Sequence, residues 1–425
     1  MLDIRWLREH ADEAREGFRQ KHVNPPLDEV LAQDVERRRL LQEVEALRAE
    51  RNRASEEVAR LKKQGKDASA VIASTAAAGR RLADRERALA AVEQDLSSLL
   101  LEIPNVPAED VPEGDEEADN LLMAEVGEPR GDSAQVVPHW EFGPSLGLVD
   151  FERAHKLSGT RFSMLTGFGA TLSRGLINLM LHEAGKAGYQ EMAPPYLVRT
   201  EAMVGTGQFP KFVEDVFRVE PGPLYLIPTA EVPLTNFRAG EILDAAELPL
   251  HYCAYTACFR SEAGAAGRDT RGLIRQHQFD KVELVSLTRP EDARAELQRM
   301  TERAAHILNL LELPYRIMEH CAGDLGFSHR KGYDLEVWMP SYGRYVEISS
   351  VSWFGDFQAR RAGIRFRREP RGATEHVHTL NGSALAVGRT LAALWENHQL
   401  TPHRFRIPEA LRAYVGSAGE FPKQD

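Results

Sequence analysis

Between Leu27 and Leu101 the chain has almost no proline or glycine, and its apolar residues return in a seven-residue rhythm. Only a helix presents such spacing as one continuous face. In the second half the steps of four and three run through Val71, Thr75, Ala78, Leu82, Arg85, Leu89, Val92, Leu96 and Leu99. The first half carries Leu41, Val44, Leu47, Arg51, Ala54, Val58 and Leu61, and Gln64-Gly65-Lys66-Asp67 separates the two. The spacing predicts a long antiparallel helical hairpin, each helix about 45–55 Å at 1.5 Å per residue. So narrow a seam cannot build a compact core, and the hairpin reads as an arm. Asp28, Glu29, Asp34, Glu36, Glu43 and Glu45 crowd its base. Arg48, Arg51, Arg53, Arg60, Lys62, Lys63, Arg80 and Arg81 crowd its outer half, where a polyanion would be held. A solvated coiled-coil face or a protein-docking arm fits the same residues.

At 425 residues the chain exceeds one ordinary core. Residues 104–136 form a polar connector marked by Pro104, Pro107, Pro112 and Pro129. The expected division is therefore an N-terminal domain of residues 1–103 with the arm at 27–101, the connector, and a second domain of residues 137–425. That second domain reads as mixed. Helices are expected at Leu172 to Lys186, Pro290 to Leu311 and Leu385 to Asn397. Strands are expected at Leu224 to Ile227, Tyr252 to Phe259, Ile274 to Leu287, Leu335 to Trp338 and Arg344 to Ser350. Consecutive strands favour an α+β fold, an antiparallel sheet flanked by helices, over alternating βαβ units. No phosphate loop of the common nucleotide-binding folds is present.

The net charge of −11 argues against a uniformly basic nucleic-acid binder and leaves room for a local basic surface. No apolar run approaches the ~20 residues that span a bilayer, and the first residues lack a signal-peptide core, so the expected compartment is the cytoplasm, with no membrane partner. Cys253, Cys258 and Cys321 are too few for a disulfide framework. With His251 and His320 they match no common zinc spacing, so buried thiols and no zinc are expected.

Phe259-Arg260-Ser261-Glu262 and Ile274 to Glu283 carry the chemistry. Strand alternation would pair Arg260 with Glu262 and align Arg275, Phe279 and Glu283 on the other strand. Arginines for phosphate oxygens, a ring for a base and carboxylates for amino groups make a nucleotide site.

These segments resemble bacterial seryl-tRNA synthetases, class II aminoacyl-tRNA synthetases, over nearly the whole chain. The shared blocks are Gly205 to Phe212, Thr229-Ala230-Glu231, Phe259 to Gly264, Glu347-Ile348-Ser349-Ser350, Asp356 to Arg361, and His378 to Ser383 leading to Gly388-Arg389. The resemblance implies serine activation with ATP and transfer to serine tRNA, and also to selenocysteine tRNA. By similarity Arg260, Glu262 and Arg389 are catalytic. Thr229, Ala230, Glu231, Arg260, Glu283, Asn381 and Ser383 bind serine. Arg260, Ser261, Glu262, Arg275, Phe279, Glu347, Ile348, Ser349, Ser350 and Arg389 bind ATP, with Mg²⁺ at Glu347 and Ser350. The basic residues of the outer arm then bind tRNA, and Gly188 to Pro195 matches the motif that lies at the homodimer interface. A loop around Gly264, Gly267, Arg268, Asp269, Arg271 and Gly272 would order over ATP.

Glu347 and Ser350 stand three apart, so a regular strand would point them oppositely; serving one ion requires a bulge. Ser350-Val351-Ser352-Trp353 departs from the family's Ser-Cys-Ser-Asn and sets a bulky ring where the ATP site is expected. Two rivals stay open: a specialised paralogue in antibiotic biosynthesis or inhibitor resistance, and a non-catalytic coiled-coil scaffold.

Overall fold

The structure is a computed structural model that describes residues 1–132, 135–263, 271–416 and 419–423. The chain divides into two compact units, Leu2–Arg19 with Val23–Pro104, and Met1, Gln20–His22 and Asn105–Asp425.

The first unit is dominated by the hairpin helices Leu27–Lys63 and Ser69–Glu102, joined where Gly65 adopts φ +68°. Leu40, Val44, Leu47, Ala78, Leu82, Leu89, Leu96 and Leu100 are buried along the seam. The expected rhythm holds with small shifts. Leu40 and Leu100 are buried in preference to their neighbours Leu41 and Leu99, and Arg51 and Arg85 stay exposed at seam positions. An arginine there keeps its head in water, so the seam thins outward.

The second unit is built on an eight-stranded sheet. In chain order its strands are β1 (Leu121–Val126), β2 (Gln190–Glu191), β3 (Leu250–Phe259), β4 (Gln278–Thr288), β5 (Tyr315–Glu319), β6 (Lys331–Met339), β7 (Arg344–Gly355) and β8 (His378–Ala386). They lie in the order β1-β5-β6-β7-β8-β4-β3-β2, antiparallel except for β2 beside β3. β1 falls inside the polar stretch 104–136. It is the short apolar run Leu121-Leu122-Met123-Ala124-Glu125-Val126, which pairs with β5 at the sheet edge and stays largely exposed there.

Alternation along the central strands sorts the two faces. Val282, Leu284, Ile348, Val351, Trp353, Leu380 and Leu385 enter the main core, which also buries Leu176, Met180, Leu297, Met300, Leu391 and Trp395 from helices Gly167–Lys186, Ala293–Leu310 and Val387–Asn397. On the other face Tyr252, Ala254, Val285 and Leu287 meet Ala230, Leu234, Phe366 and Val377. Among the boundaries that differ from the sequence reading, the helix expected from Leu385 starts at Val387 because β8 runs on to Ala386, and β4 starts at Gln278, so Ile274 to His277 precede the strand. Gly188 adopts φ +88° just past the helix Gly167–Lys186, the left-handed conformation that commonly ends a helix.

Candidate active site

The expected bulge in β7 is present. Register shifts between Leu335↔Ser349 and Glu336↔Glu347, leaving Ile348 as the extra residue. Glu347 and Ser350 consequently face one cleft. Ser350 and Ser352 alternate with Val351 and Trp353, so the last two point into the opposite core and do not line the cleft. This corrects the placement of Trp353 beside the ATP site. Its ring is 5 % exposed and lies 5.4 Å from the guanidiniums of Arg294 and Arg330, and its Nε1 donates to Nδ1 of His378 at 3.3 Å.

The cleft collects side chains from β4, β7, β8 and the segments flanking them. It is open to solvent and lined by Arg260, Glu262, Arg275, Phe279, Lys281, Glu283, Glu347, Ser350, Asn381, Ser383 and Arg389. Arg260 sits just past β3, its guanidinium 5.3 Å from the Phe279 ring centroid and its Nε donating to the Pro228 carbonyl at 3.3 Å. Arg260 does not pair with Glu262. The strand has ended, Glu262 adopts φ +52°, and its carboxylate instead accepts from Arg275 Nη1 at 2.7 Å. Arg389 Nη1 donates to the Glu347 carbonyl at 2.5 Å and lies 3.3 Å from its carboxylate. Desolvation opposes the Glu347 charge, but Arg389, joined by Arg260 and His320, holds this carboxyl below its usual pKa. Behind it, Asp334 is pushed up by burial and by Glu347, and pairs with His320 Nε2 at 2.9 Å.

A second, larger recess adjoins the cleft, lined by Thr229, Glu231, Arg260 and Lys281. Glu283, its side chain 1 % exposed, lies 2.5 Å from Lys281 Nζ and accepts from Asn381 Nδ2 at 3.1 Å. Lys281 also donates to Thr229 Oγ1 at 2.9 Å. Glu231 accepts from Gln358 Nε2 at 2.6 Å, and Gln358 Oε1 accepts from Thr379 at 2.6 Å. Burial, and then the neighbouring charge of Glu283, push Glu231 up to about 7.

The expected residues differ in how they take part. Ile348 and Ser349 line the cleft, although Ile348 also packs in the main core and Ser349 donates its hydroxyl to the Ser383 carbonyl at 2.6 Å, whereas Ala230 is buried in the second core. Ser261 donates to the Glu214 carbonyl at 2.6 Å. The glycine loop at Gly264, Gly267, Arg268 and Asp269 lies outside the described residues. Lys281, His329 and Gln358 were not assigned roles from the sequence. Lys281 could have been, since it stands two positions from both Phe279 and Glu283 and must share their face.

The eight basic arm residues Arg48, Arg51, Arg53, Arg60, Lys62, Lys63, Arg80 and Arg81 are all exposed. Two are held by carboxylates, Arg48 by Glu86 at 2.7 Å and Arg60 by Glu57 at 2.6 Å. The three cysteines are buried free thiols. Among the described residues no helix is long and apolar enough to cross a membrane.

Comparison with known proteins agrees with this geometry. Residues 1–107 match the seryl-tRNA synthetase N-terminal domain, and residues 217–398 match the class II tRNA synthetase core domain of the G, H, P, S and T group. The chain is 56 % identical over 419 residues to a serine–tRNA ligase of Geobacillus sp. strain WCH70, covering 98 % of this chain and 99 % of the relative. It is 53 % identical to that of Heliobacterium modesticaldum, with the same coverage. A seryl-tRNA synthetase from Pyrococcus horikoshii, solved with ATP, superposes with a TM-score of 0.93 at 35 % identity and full coverage of both chains.

Proposed function

The chain belongs to the seryl-tRNA synthetases, class II enzymes that join serine to tRNA with ATP, and we propose that the cleft described above carries out both steps. The supporting observation is two adjoining pockets that share Arg260, Arg275, Lys281 and His329, one reaching Thr229 and Glu231 and the other Glu283, Asn381, Phe279 and Arg389. The recess suits a small hydroxylated zwitterion. Glu231 and Glu283 supply acceptors for ammonium and hydroxyl, and alanine would leave these groups unpaired. The outer cleft suits a nucleoside triphosphate, with Phe279 under the base and three guanidiniums along the phosphates.

The first step needs no general base, because the serine carboxylate is already ionised. It attacks the α-phosphorus, a carboxyl–phosphate bond forms and pyrophosphate leaves. The chain must hold the reactants in line and offset charge on the phosphoryl oxygens. Arg260, at the mouth of the recess, bridges carboxylate and α-phosphate, while Arg275 and Arg389 hold the outgoing phosphates. Glu347 and Ser350 offer hard oxygen donors on one face, the type Mg²⁺ takes together with phosphates, and such an ion would add positive charge at the leaving group. In the second step the terminal ribose hydroxyl of tRNA attacks the seryl carbonyl and releases AMP.

The N-terminal domain of residues 1–103, joined by connector 104–136 to the catalytic domain of residues 137–425, would bring the basic arm to the backbone of serine tRNA, with selenocysteine tRNA as a second substrate. Gly188 to Pro195, which contains edge strand β2, supports a homodimer. The expected setting is the cytoplasm. With Trp353 turned into the core, the departure that motivated a specialised paralogue no longer touches the cleft. Pyrophosphate exchange measured with each of the twenty amino acids tests the reading: serine alone should support rapid exchange, and a stronger response to another amino acid would overturn it.

A further inference from the structure

Lys21 is 6 % exposed, and no carboxylate pairs with it among the described residues. Its Nζ instead donates to three backbone carbonyls, Asn105 at 3.0 Å, Gly326 at 2.8 Å and His329 at 2.8 Å. An ammonium has three N–H donors and no acceptor, so it matches three carbonyls; a neutral amine would turn a lone pair toward one of them. Burial alone pushes this group down to about 7, so the three oxygens are what favours the charged form.

The carbonyls belong to a longer pattern. Asn105 N–H donates to the Phe327 carbonyl at 2.9 Å, and Asn105 Nδ2 donates to Ser328 at 3.0 Å and Phe354 at 2.8 Å. Ala108 N–H takes the Arg330 carbonyl at 2.8 Å. Every carbonyl from Gly326 to Arg330 is therefore held from Lys21, Asn105 or Ala108, in a segment with no ladder of its own. This segment presents His329, which lines both the main cleft and its recess beside Arg260 and Lys281. Its Nδ1 lies 3.4 Å from Ser352 Oγ. Burial, with the charges of His320 and Lys21, pushes the imidazole down to about 3, so it is a neutral wall. A methionine would fill the space of Lys21 without burying a charge; the ammonium is justified by the carbonyls it gathers.

We propose that Lys21 is a positioning residue for serine activation: with Asn105 it fixes the 326–330 backbone so that His329 forms a set wall of the serine recess. The proposal rests on the reading of the cleft given above. It is tested on the full-length enzyme by serine-dependent pyrophosphate exchange with Lys21→Met, His329→Ala and the double variant. Lys21→Met should raise KM for serine roughly tenfold, the scale of a sub-ångström misplacement, while KM for ATP moves less than about twofold. His329→Ala should give the same loss, and the double variant should be no worse than either single one. Additive losses, or an unchanged KM for serine in Lys21→Met, would overturn the proposal. Should Lys21→Met fail to fold, Asn105→Ala is judged by the same criteria. A wild-type enzyme without serine-dependent exchange would sink the reading of the cleft itself, and this proposal with it.

Discussion

The arm and the cleft are made of the same residue types, arginine, lysine and glutamate, yet solvent gives them opposite value. On the arm, Arg48 and Glu86 meet at 2.7 Å with side chains 54 % and 41 % exposed. In the cleft, Lys281 and Glu283 meet at 2.5 Å at 9 % and 1 %. Water screens the first pair, and it contributes little to stability. The second has lost its hydration, so removing one partner strands a buried charge. Charge on the arm is thus available to an incoming polyanion, whereas charge in the cleft is already committed to geometry.

The largest effect should come from the cleft. Arg260→Ala is expected to lower serine-dependent pyrophosphate exchange by about 10²–10³-fold, the range for removing a donor aimed at developing charge. Near-normal exchange would mean that Arg260 has no role in the chemistry. Next, replacing Leu40 to Leu89 with a short turn should leave exchange within about twofold and reduce tRNA charging on the order of a hundredfold, since phosphate contacts dominate such affinity. Equal loss of both activities would make the arm a structural element.

A smaller effect concerns pH. Glu231 is raised to about 7 by burial first and then by Glu283, so below that pH it is protonated and cannot pair with the serine ammonium. The value of kcat/KM for serine should rise as pH increases through about 7, and Glu231→Gln should lack this limb. The linked stability runs the other way. The folded state binds more protons than the unfolded chain between the ordinary carboxyl range and about 7, so this group's contribution falls as pH rises through that window. A flat wild-type profile would show that Glu231 does not meet the ammonium. The smallest effect belongs to a single arm charge. Arg60→Ala should leave the melting temperature unchanged within about 1 °C and lower the salt slope of tRNA binding by about one. A marked fall in melting temperature would show that arm charges do carry stability.

Much of this was legible because it depends on spacing within one element. The hairpin, its break at Gly65 and its basic outer half follow from local periodicity. The bulge in β7 was legible too, since Glu347 and Ser350 can serve one site only if a residue between them is extra. Other readings failed where an element ended. Arg260 and Glu262 looked like strand neighbours, but β3 stops at Phe259 and Glu262 turns toward Arg275. Trp353 looked close to ATP by its distance along the chain, while alternation set it on the opposite face. No local pattern pointed to His329, whose position depends on Lys21 and Asn105, remote in sequence.

The amino-acid order by itself determined the helical arm, the α+β class and most of the charged and aromatic groups that line the cleft, because hydrophobic period and side-chain chemistry are properties of neighbouring residues. The tertiary structure alone decided which carboxylate each arginine holds, which face carries Trp353, and that Lys21 grips a loop more than three hundred positions away. Burial and hydrogen-bond pairing are set by what the rest of the chain packs against a residue, and no local window contains that information.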